Sequence, residues 1–301
     1  MAQQGNATFH KAQGRCLHEI LRKRHAAPRS GLLGPMVLQK KTANAVLPSI
    51  EKELWIKHGK QQIYGVLSTP DNGEKRHPIV IVSHGFNGTH HSGRNYFKML
   101  NELGYMCYTF DFPCGGTGSR TDNNTVNMSV LDEQKALEAI VRYFKSRPDV
   151  DKKNIVLLGG SQGGLISALT AAKMQKDISK LILEFPALCI PDNWNSRYPQ
   201  VSDIPDTTRI WRVPIGRRFF TEIRDMDPYK AVEAYHRPVL IVHGDADAVV
   251  PIEYSRRAVK LYKNARLVEI PKAGHGFNGK DFKCSLDNIR QFLMGKENIT
   301  E

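Results

Sequence analysis

Ser161, Asp247 and His275 are the residues of this sequence whose types and settings could move a proton and cleave an acyl bond. Ser161 lies in Val156-Leu-Leu-Gly-Gly-Ser-Gln-Gly-Gly-Leu165. The apolar run from Ile155 to Leu158 stops at two glycines, and a helix-compatible run from Leu165 to Met174 follows. This reads as strand, tight turn and helix with the serine at the tip, and Gly159-x-Ser161-x-Gly163 is the spacing of a nucleophile elbow. So sharp a turn strains the serine backbone and leaves no room for side chains two positions to either side. In return the hydroxyl stands at a helix N-terminus, where free N–H groups and the dipole favour developing negative charge. A glycine-rich turn with an incidental serine would share the pattern, so the partners decide its meaning.

A serine hydroxyl needs a base to take its proton, and a carboxylate to orient that base. His275 lies in Ala273-Gly-His-Gly276, between glycines in a loop before the last helix, where an imidazole has no packing role. Asp247 lies in Val239-Leu-Ile-Val-His-Gly-Asp-Ala-Asp-Ala-Val-Val-Pro251, after a strand. The order Ser, Asp, His is that of elbow enzymes. Asp245 is expected to shape the turn, both aspartates could be turn residues only, and Glu184 is the rival orienting acid. His84 and His243 close strands and are expected to brace loops. His90-His91 lacks a third ligand, so no metal is assigned. An oxyanion needs two converging N–H donors. Gln162 follows the nucleophile, and Phe86 lies in Ser83-His-Gly-Phe-Asn-Gly88 after a β-branched strand.

The elements that must hold these groups alternate. Strands are expected over Glu51–His58 and Gln61–Thr69 as a hairpin, then over Pro78–Ser83, Tyr105–Phe110, Asn154–Gly159, Lys180–Phe185, Pro238–His243 and Arg266–Ile270. Helices are expected over Ser92–Leu103, Ser129–Arg147, Gly163–Met174, Ile252–Tyr262 and Phe282–Met294. Such alternation predicts a mostly parallel central sheet with helices on both faces and the first hairpin as an antiparallel edge. Pro186–Arg237 has no clean period and many aromatics, and is read as a cap inserted over the sheet.

Charge is uneven. Residues 1–48 hold eight Lys or Arg against one acid, Glu19, a net of +7 out of the chain's +13. This basic leader is read as a disordered extension rather than a nucleic-acid or membrane arm, since no aromatic interleaving or basic helix face accompanies it. Gly31–Leu38 followed by Ala43-Asn-Ala45 is a damaged match to a signal peptide, interrupted by Gln39-Lys-Lys41. The leader apart, residues 49–301 form one domain, with the cap at about 186–237. Five widely spaced cysteines without a C-x-x-C pair fit neither a disulfide framework nor a zinc site, and favour a reducing compartment. The expected location is the cytoplasm, or a secreted or periplasmic one if the leader is a degraded signal. No stable membrane insertion is expected, and the oligomeric state is left open, a homodimer included.

With these pieces placed, residues 50–295 resemble the α/β-hydrolase fold, and within it the cinnamoyl (feruloyl) esterases of gut bacteria. The matching segments are Ser-His-Gly-Phe-Asn-Gly at 83–88, Gly-Gly-Ser-Gln-Gly-Gly at 159–164, His-Gly-Asp-Ala-Asp-Ala-Val-Val-Pro at 243–251 and Ala-Gly-His-Gly-Phe at 273–277. Asp111-Phe-Pro-Cys-Gly-Gly-Thr-Gly-Ser119 and the Gly-Gly-Ser opening of the elbow depart from the family's commoner forms. The resemblance implies a cofactor-independent serine carboxylesterase acting on small-molecule esters of hydroxycinnamic acids through an acyl-enzyme. It also implies that the cap shapes the acid pocket, with Asp192 as a candidate partner for the phenolic hydroxyl and Trp194, Trp211, Phe219 and Phe220 as candidate walls. The alternatives are a broad short- or medium-chain acyl esterase, a monoglyceride-type lipase, a prolyl-oligopeptidase-type peptidase and a non-catalytic binding protein.

Overall fold

Alternate residues of one buried strand feed two different cores. Ile79 and Ile81 belong to a cluster on one face of the sheet, and Val80 and Val82 to a cluster on the other. A strand apolar on both faces is the expected sequence of a parallel sheet covered by helices on each side. The computed structural model describes residues 49–295. The leader, with its signal-like patch, lies outside them, and so does Cys16.

In chain order the elements are β1 (Ser49–His58), β2 (Gln61–Pro70), β3 (His77–Ser83), α1 (Phe97–Glu102), β4 (Met106–Phe110), α2 (Val130–Ser146), β5 (Val150–Gly160), α3 (Gln162–Lys173) and β6 (Lys180–Glu184). Then follow α4 (Ile190–Arg197), β7 (Thr207–Ile210), β8 (Val213–Gly216), α5 (Arg217–Glu222), α6 (Pro228–Ala234), β9 (Val239–Gly244), α7 (Glu253–Leu261), β10 (Ala265–Ile270) and α8 (Gly279–Leu293). Eight strands form one sheet in the order β1-β2-β4-β3-β5-β6-β9-β10. β1 and β2 are antiparallel, β2 meets β4 antiparallel, and from β4 to β10 every pairing is parallel. Leu137 and Ile140 of α2 and Leu165 and Ala168 of α3 fill one core. Phe97 and Leu100 of α1 and Ile289 and Phe292 of α8 fill the other.

Several boundaries differ from the sequence expectation, among them the start of β5, at Val150 rather than Asn154. The helix expected at Ser92–Leu103 is a 3-10 segment, His90–Tyr96, followed by the short α1. Gly93 lies against Thr109 there, a Cβ at that position falling 2.2 Å from Thr109 Oγ1, so packing on β4 sets the winding. α8 starts a turn early, after Asn278. The segment expected to be wholly cap divides in two. α4, the antiparallel β7–β8 hairpin and α5 form a roof. α6 instead buries Tyr229 and Val232 in the main core and serves as the helix that the parallel β6–β9 pair needs to return the chain. Among the described residues no helix is long and apolar enough to cross a membrane.

Candidate active site

The elbow places Ser161 between the end of β5 and the start of α3 with φ 54° and ψ −123°, a conformation that L-residues rarely adopt. Its neighbours explain how this is tolerated. A Cβ at Gly159 would lie 2.2 Å from the Gly163 carbonyl oxygen, and one at Gly163 would lie 2.3 Å from that of Ser83. Ser161 N–H donates to Glu184 O at 3.0 Å, which ties the turn to the neighbouring strand.

β9 leads to the loop with Asp247 and β10 to the loop with His275. Gly244 and Ala273 abut so closely that a Cβ on the glycine would lie 2.2 Å from Ala273 O, which brings the loops carrying Asp247 and His275 together. His275 Nδ1–H donates to Asp247 Oδ2 at 2.8 Å, and Nε2 accepts from Ser161 Oγ–H at 3.0 Å. This network fixes the tautomer assigned to the imidazole. Asp247 Oδ1 accepts from Val249 N–H and Val250 N–H at 2.8 and 2.9 Å. Burial works to raise the Asp247 carboxyl. The Val250 N–H, His275 and the Val249 N–H outweigh it and hold the carboxyl below the usual carboxylate range. Its side chain is wholly buried, whereas that of His275 is 21% exposed.

The other sequence candidates divide. Asp245 accepts from the Lys272 N–H and so fixes the turn. The rival acid, Glu184, gives both oxygens elsewhere, to the Tyr96 hydroxyl and the Ser285 hydroxyl, and burial raises it. His243 is fully buried, with Nε2–H directed at Val250 O at 3.0 Å and Nδ1 accepting from Ser255 at 2.7 Å; it lies behind Asp247 as a brace. His84 does the same for the loop that carries Phe86. Its Nδ1–H donates to Gly85 O at 2.7 Å and its Nε2 accepts from Phe112 N–H at 3.0 Å, while burial lowers its pKa and keeps it neutral.

That loop runs directly over the serine: a Cβ at Gly85 would lie 3.2 Å from Ser161 Cβ. The Phe86 and Gln162 N–H groups donate to no protein acceptor among the described residues. Two such donors beside one hydroxyl are available to an oxygen of a bound ligand. A cavity of about 600 Å³ opens there, bounded by Phe86, Ser161 and Gln162 below and by Trp194, Trp211 and Phe219 from the roof. This size suits a small organic ligand.

Two pocket candidates from the sequence do not belong to that lining. Asp192 faces away and accepts from the Tyr254 hydroxyl at 2.9 Å; its neighbour Asn193 lines the cavity instead. Phe220 is turned into the roof's own core, edge-on to Trp194 and Tyr198 at 5.0 and 5.4 Å. In an eight-residue helix such as α4, one step along the chain turns a side chain by about 100°, so sequence alone could not choose between 192 and 193. Sequence reasoning also missed Phe185, Glu133, Arg197 and Arg209. The Phe185 ring packs against His275 at 4.9 Å, and Glu133 Oε2 accepts from Gln162 Nε2 at 2.8 Å. Arg197 and Arg209 line the cavity. For Glu133 a signal did exist: it lies on the buried face of the amphipathic α2.

The comparisons agree with this architecture. A family model described as the alpha/beta hydrolase fold matches residues 78–214, and one described as TAP-like protein matches residues 221–298. The chain has the α/β-hydrolase fold. It is 27% identical over 226 residues to the uncharacterized peptidase YuxL of Bacillus subtilis, covering 68% of this chain and 32% of that protein. It is 26% identical over 222 residues to the acylamino-acid-releasing enzyme of Rattus norvegicus, covering 67% of this chain and 29% of the relative. It thus spans about a third of the length of either relative. Among solved structures, Est1E from Butyrivibrio proteoclasticus superposes with a TM-score of 0.70 at 27% identity, covering 81% of this chain and 98% of Est1E. Est1E with ferulic acid bound superposes at 0.73 and 26% identity, with the same coverage.

Proposed function

We propose that the chain is a serine carboxylesterase that hydrolyses hydroxycinnamoyl esters. The observation that carries this reading is the continuous hydrogen-bonded chain from Ser161 Oγ through His275 to Asp247, at 3.0 and 2.8 Å. In the reading proposed, His275 Nε2 takes the Ser161 proton as Oγ adds to the ester carbonyl. The carbonyl oxygen gains negative charge and is met by the N–H groups of Phe86 and Gln162. Asp247 holds the imidazole in the required tautomer and stabilises its positive charge. The imidazolium returns the proton to the leaving alcohol. Water, deprotonated by the same imidazole, then releases the acid and restores the serine.

The choice of acid is supported by the likeness to Est1E, a protein solved with ferulic acid bound, and by the aromatic walls of the cavity. The acylaminoacyl peptidase relative favours a second reading with the same chemistry on an amide or N-acylated residue. The test is turnover of methyl ferulate, p-nitrophenyl butyrate, a long-chain acyl ester and N-acetyl-alanine p-nitroanilide, each with Ser161→Ala as control. Ser161-dependent ferulate turnover exceeding the rest supports the proposal. Butyrate or anilide turnover without ferulate turnover replaces the substrate, and no Ser161-dependent turnover at all removes the esterase reading.

A further inference from the structure

The charges of the roof cavity are of one sign. Arg197 of α4 and Arg209 of β7 line it, and no Asp or Glu does. Neither guanidinium is in an ion pair among the described residues. Arg197 stands 5.9 Å from the Trp194 ring centroid and 5.7 Å from that of Tyr198. Arg209 Nη1 donates to the Arg212 carbonyl at 2.9 Å, which leaves its remaining N–H groups available. Two roof arginines outside the lining do have acidic partners, whereas Arg212 of the β7–β8 turn is in no ion pair among the described residues. Arg218 pairs with Asp132 and Glu222, and Arg217 lies 4.0 Å from Asp206. The one acid on α4, Asp192, is committed to Tyr254.

Two cations in a lining whose other residues are uncharged give the cavity a positive potential, which solvent and salt screen because both side chains are exposed. A guanidinium presents a planar fork of donors that matches a carboxylate. We propose that the part of the ester lodged under the roof carries a carboxylate at the end remote from the scissile carbonyl, and that Arg197 and Arg209 select it. This rests on the reading of Ser161 as the nucleophile of an esterase and departs from the hydroxycinnamoyl choice made above, because a hydroxycinnamoyl group ends in a phenol and the ligand selected here ends in a carboxylate. It replaces the phenol-reading acid expected at Asp192 with two residues of opposite charge. Both arginines are exposed, so substituting them leaves the core packing untouched.

The experiment compares esters matched except for the charge: methyl 4-carboxycinnamate against methyl cinnamate, and p-nitrophenyl hemiglutarate against p-nitrophenyl pentanoate. The full chain is assayed beside Arg197→Gln, Arg209→Gln and the double variant, at roughly 20 mM and roughly 500 mM salt. The expected result is that kcat/KM favours the charged member of at least one pair by about tenfold at low salt. That ratio then falls towards unity in the double variant and in high salt. A ratio at or below unity in the unsubstituted chain, or one the double variant leaves unchanged, overturns the proposal while leaving the esterase standing. Absence of Ser161-dependent turnover with all four esters overturns both.

Discussion

Glu133 and Gln162, the residue after Ser161, meet in a buried hydrogen bond, Gln162 Nε2 donating to Glu133 Oε2 at 2.8 Å. The other carboxyl oxygen of Glu133 has no protein partner, and the side chain is closed off from solvent. Burial pushes Glu133 up from 4.5 to about 8, against the pull of Gln162. Between those two values the native protein keeps a proton that the unfolded chain has released. Stability therefore declines as pH rises from 4.5 to about 8, and the Glu133 contribution is level outside that window. At about 1.4 kcal/mol for each unit of displacement, the effect is on the order of a few kcal/mol. Glu133→Gln keeps the shape and removes the titration. Urea midpoints measured from pH 5 to pH 8 should show a shallower decline in the variant than in the parent, and parallel curves would refute the assignment.

Asp247→Asn should preserve the fold and lose activity. The Val249 and Val250 N–H groups can still be met by a side-chain oxygen, but His275 Nδ1–H would face an amide that no longer favours the imidazolium. A drop in kcat on the order of 10³–10⁴ with an unchanged melting temperature is the expected outcome. Retained kcat would mean that another carboxylate orients the base.

Gly163→Ala tests the elbow itself. The added Cβ would fall 2.3 Å from the Ser83 carbonyl oxygen, a backbone atom with no freedom to yield. Overpacking of this kind costs about 1–3 kcal/mol and would shift β3 away from α3. Because β3 leads into the loop over Ser161, kcat should fall along with the thermal midpoint. A variant as stable and as active as the parent would contradict the geometry.

Asp192→Asn should leave ferulate KM within about twofold, because the side chain binds the Tyr254 hydroxyl and stands outside the cavity. Trp211→Ala should raise KM, since the ring lines the cavity edge-on to Phe86 at 5.7 Å. The same ring is 67% exposed, so the melting temperature should barely change. The opposite pattern would mean that the substrate lies on the outer side of α4.

The sheet was legible because its central strands are apolar runs, as in Ile79–Val82, and because long helices such as α2 carry a 3.6-residue period, as in Leu137–Phe144. Ser161 and His275 were legible because glycines surround each one, and Asp247 because it follows the end of a strand in the chain order expected of an elbow protein. The roof was not legible, because its strands have four residues and its helices six or eight, too short for a period to declare itself. The β7–β8 turn hides its sign as well. Trp211 and Arg212 take φ of 46° and 72°, where sequence rules expect Gly or Asn. Partners that act through a third residue, such as Glu133 on Gln162 or Phe185 on His275, leave no spacing in the sequence at all.

The roof departs from β6 and, after α6, the chain re-enters at β9, and these two strands are immediate neighbours in the sheet, paired from Leu181↔Val239 to Glu184↔Val242. An insertion whose two ends share a hydrogen-bonded ladder imposes no torsion on the strands that flank it. The segment from Cys189 to Glu222 thus leaves and returns on one side of the sheet, yet it is also anchored to the domain: Val213, Ile215 and Phe219 are part of the main core, Thr125 Oγ1 donates to Pro214 O at 2.7 Å and Arg218 pairs with Asp132. A transplanted segment would therefore have to bring its half of those contacts with it, and a graft that kept them would reshape the cavity above Ser161 without moving β6 or β9.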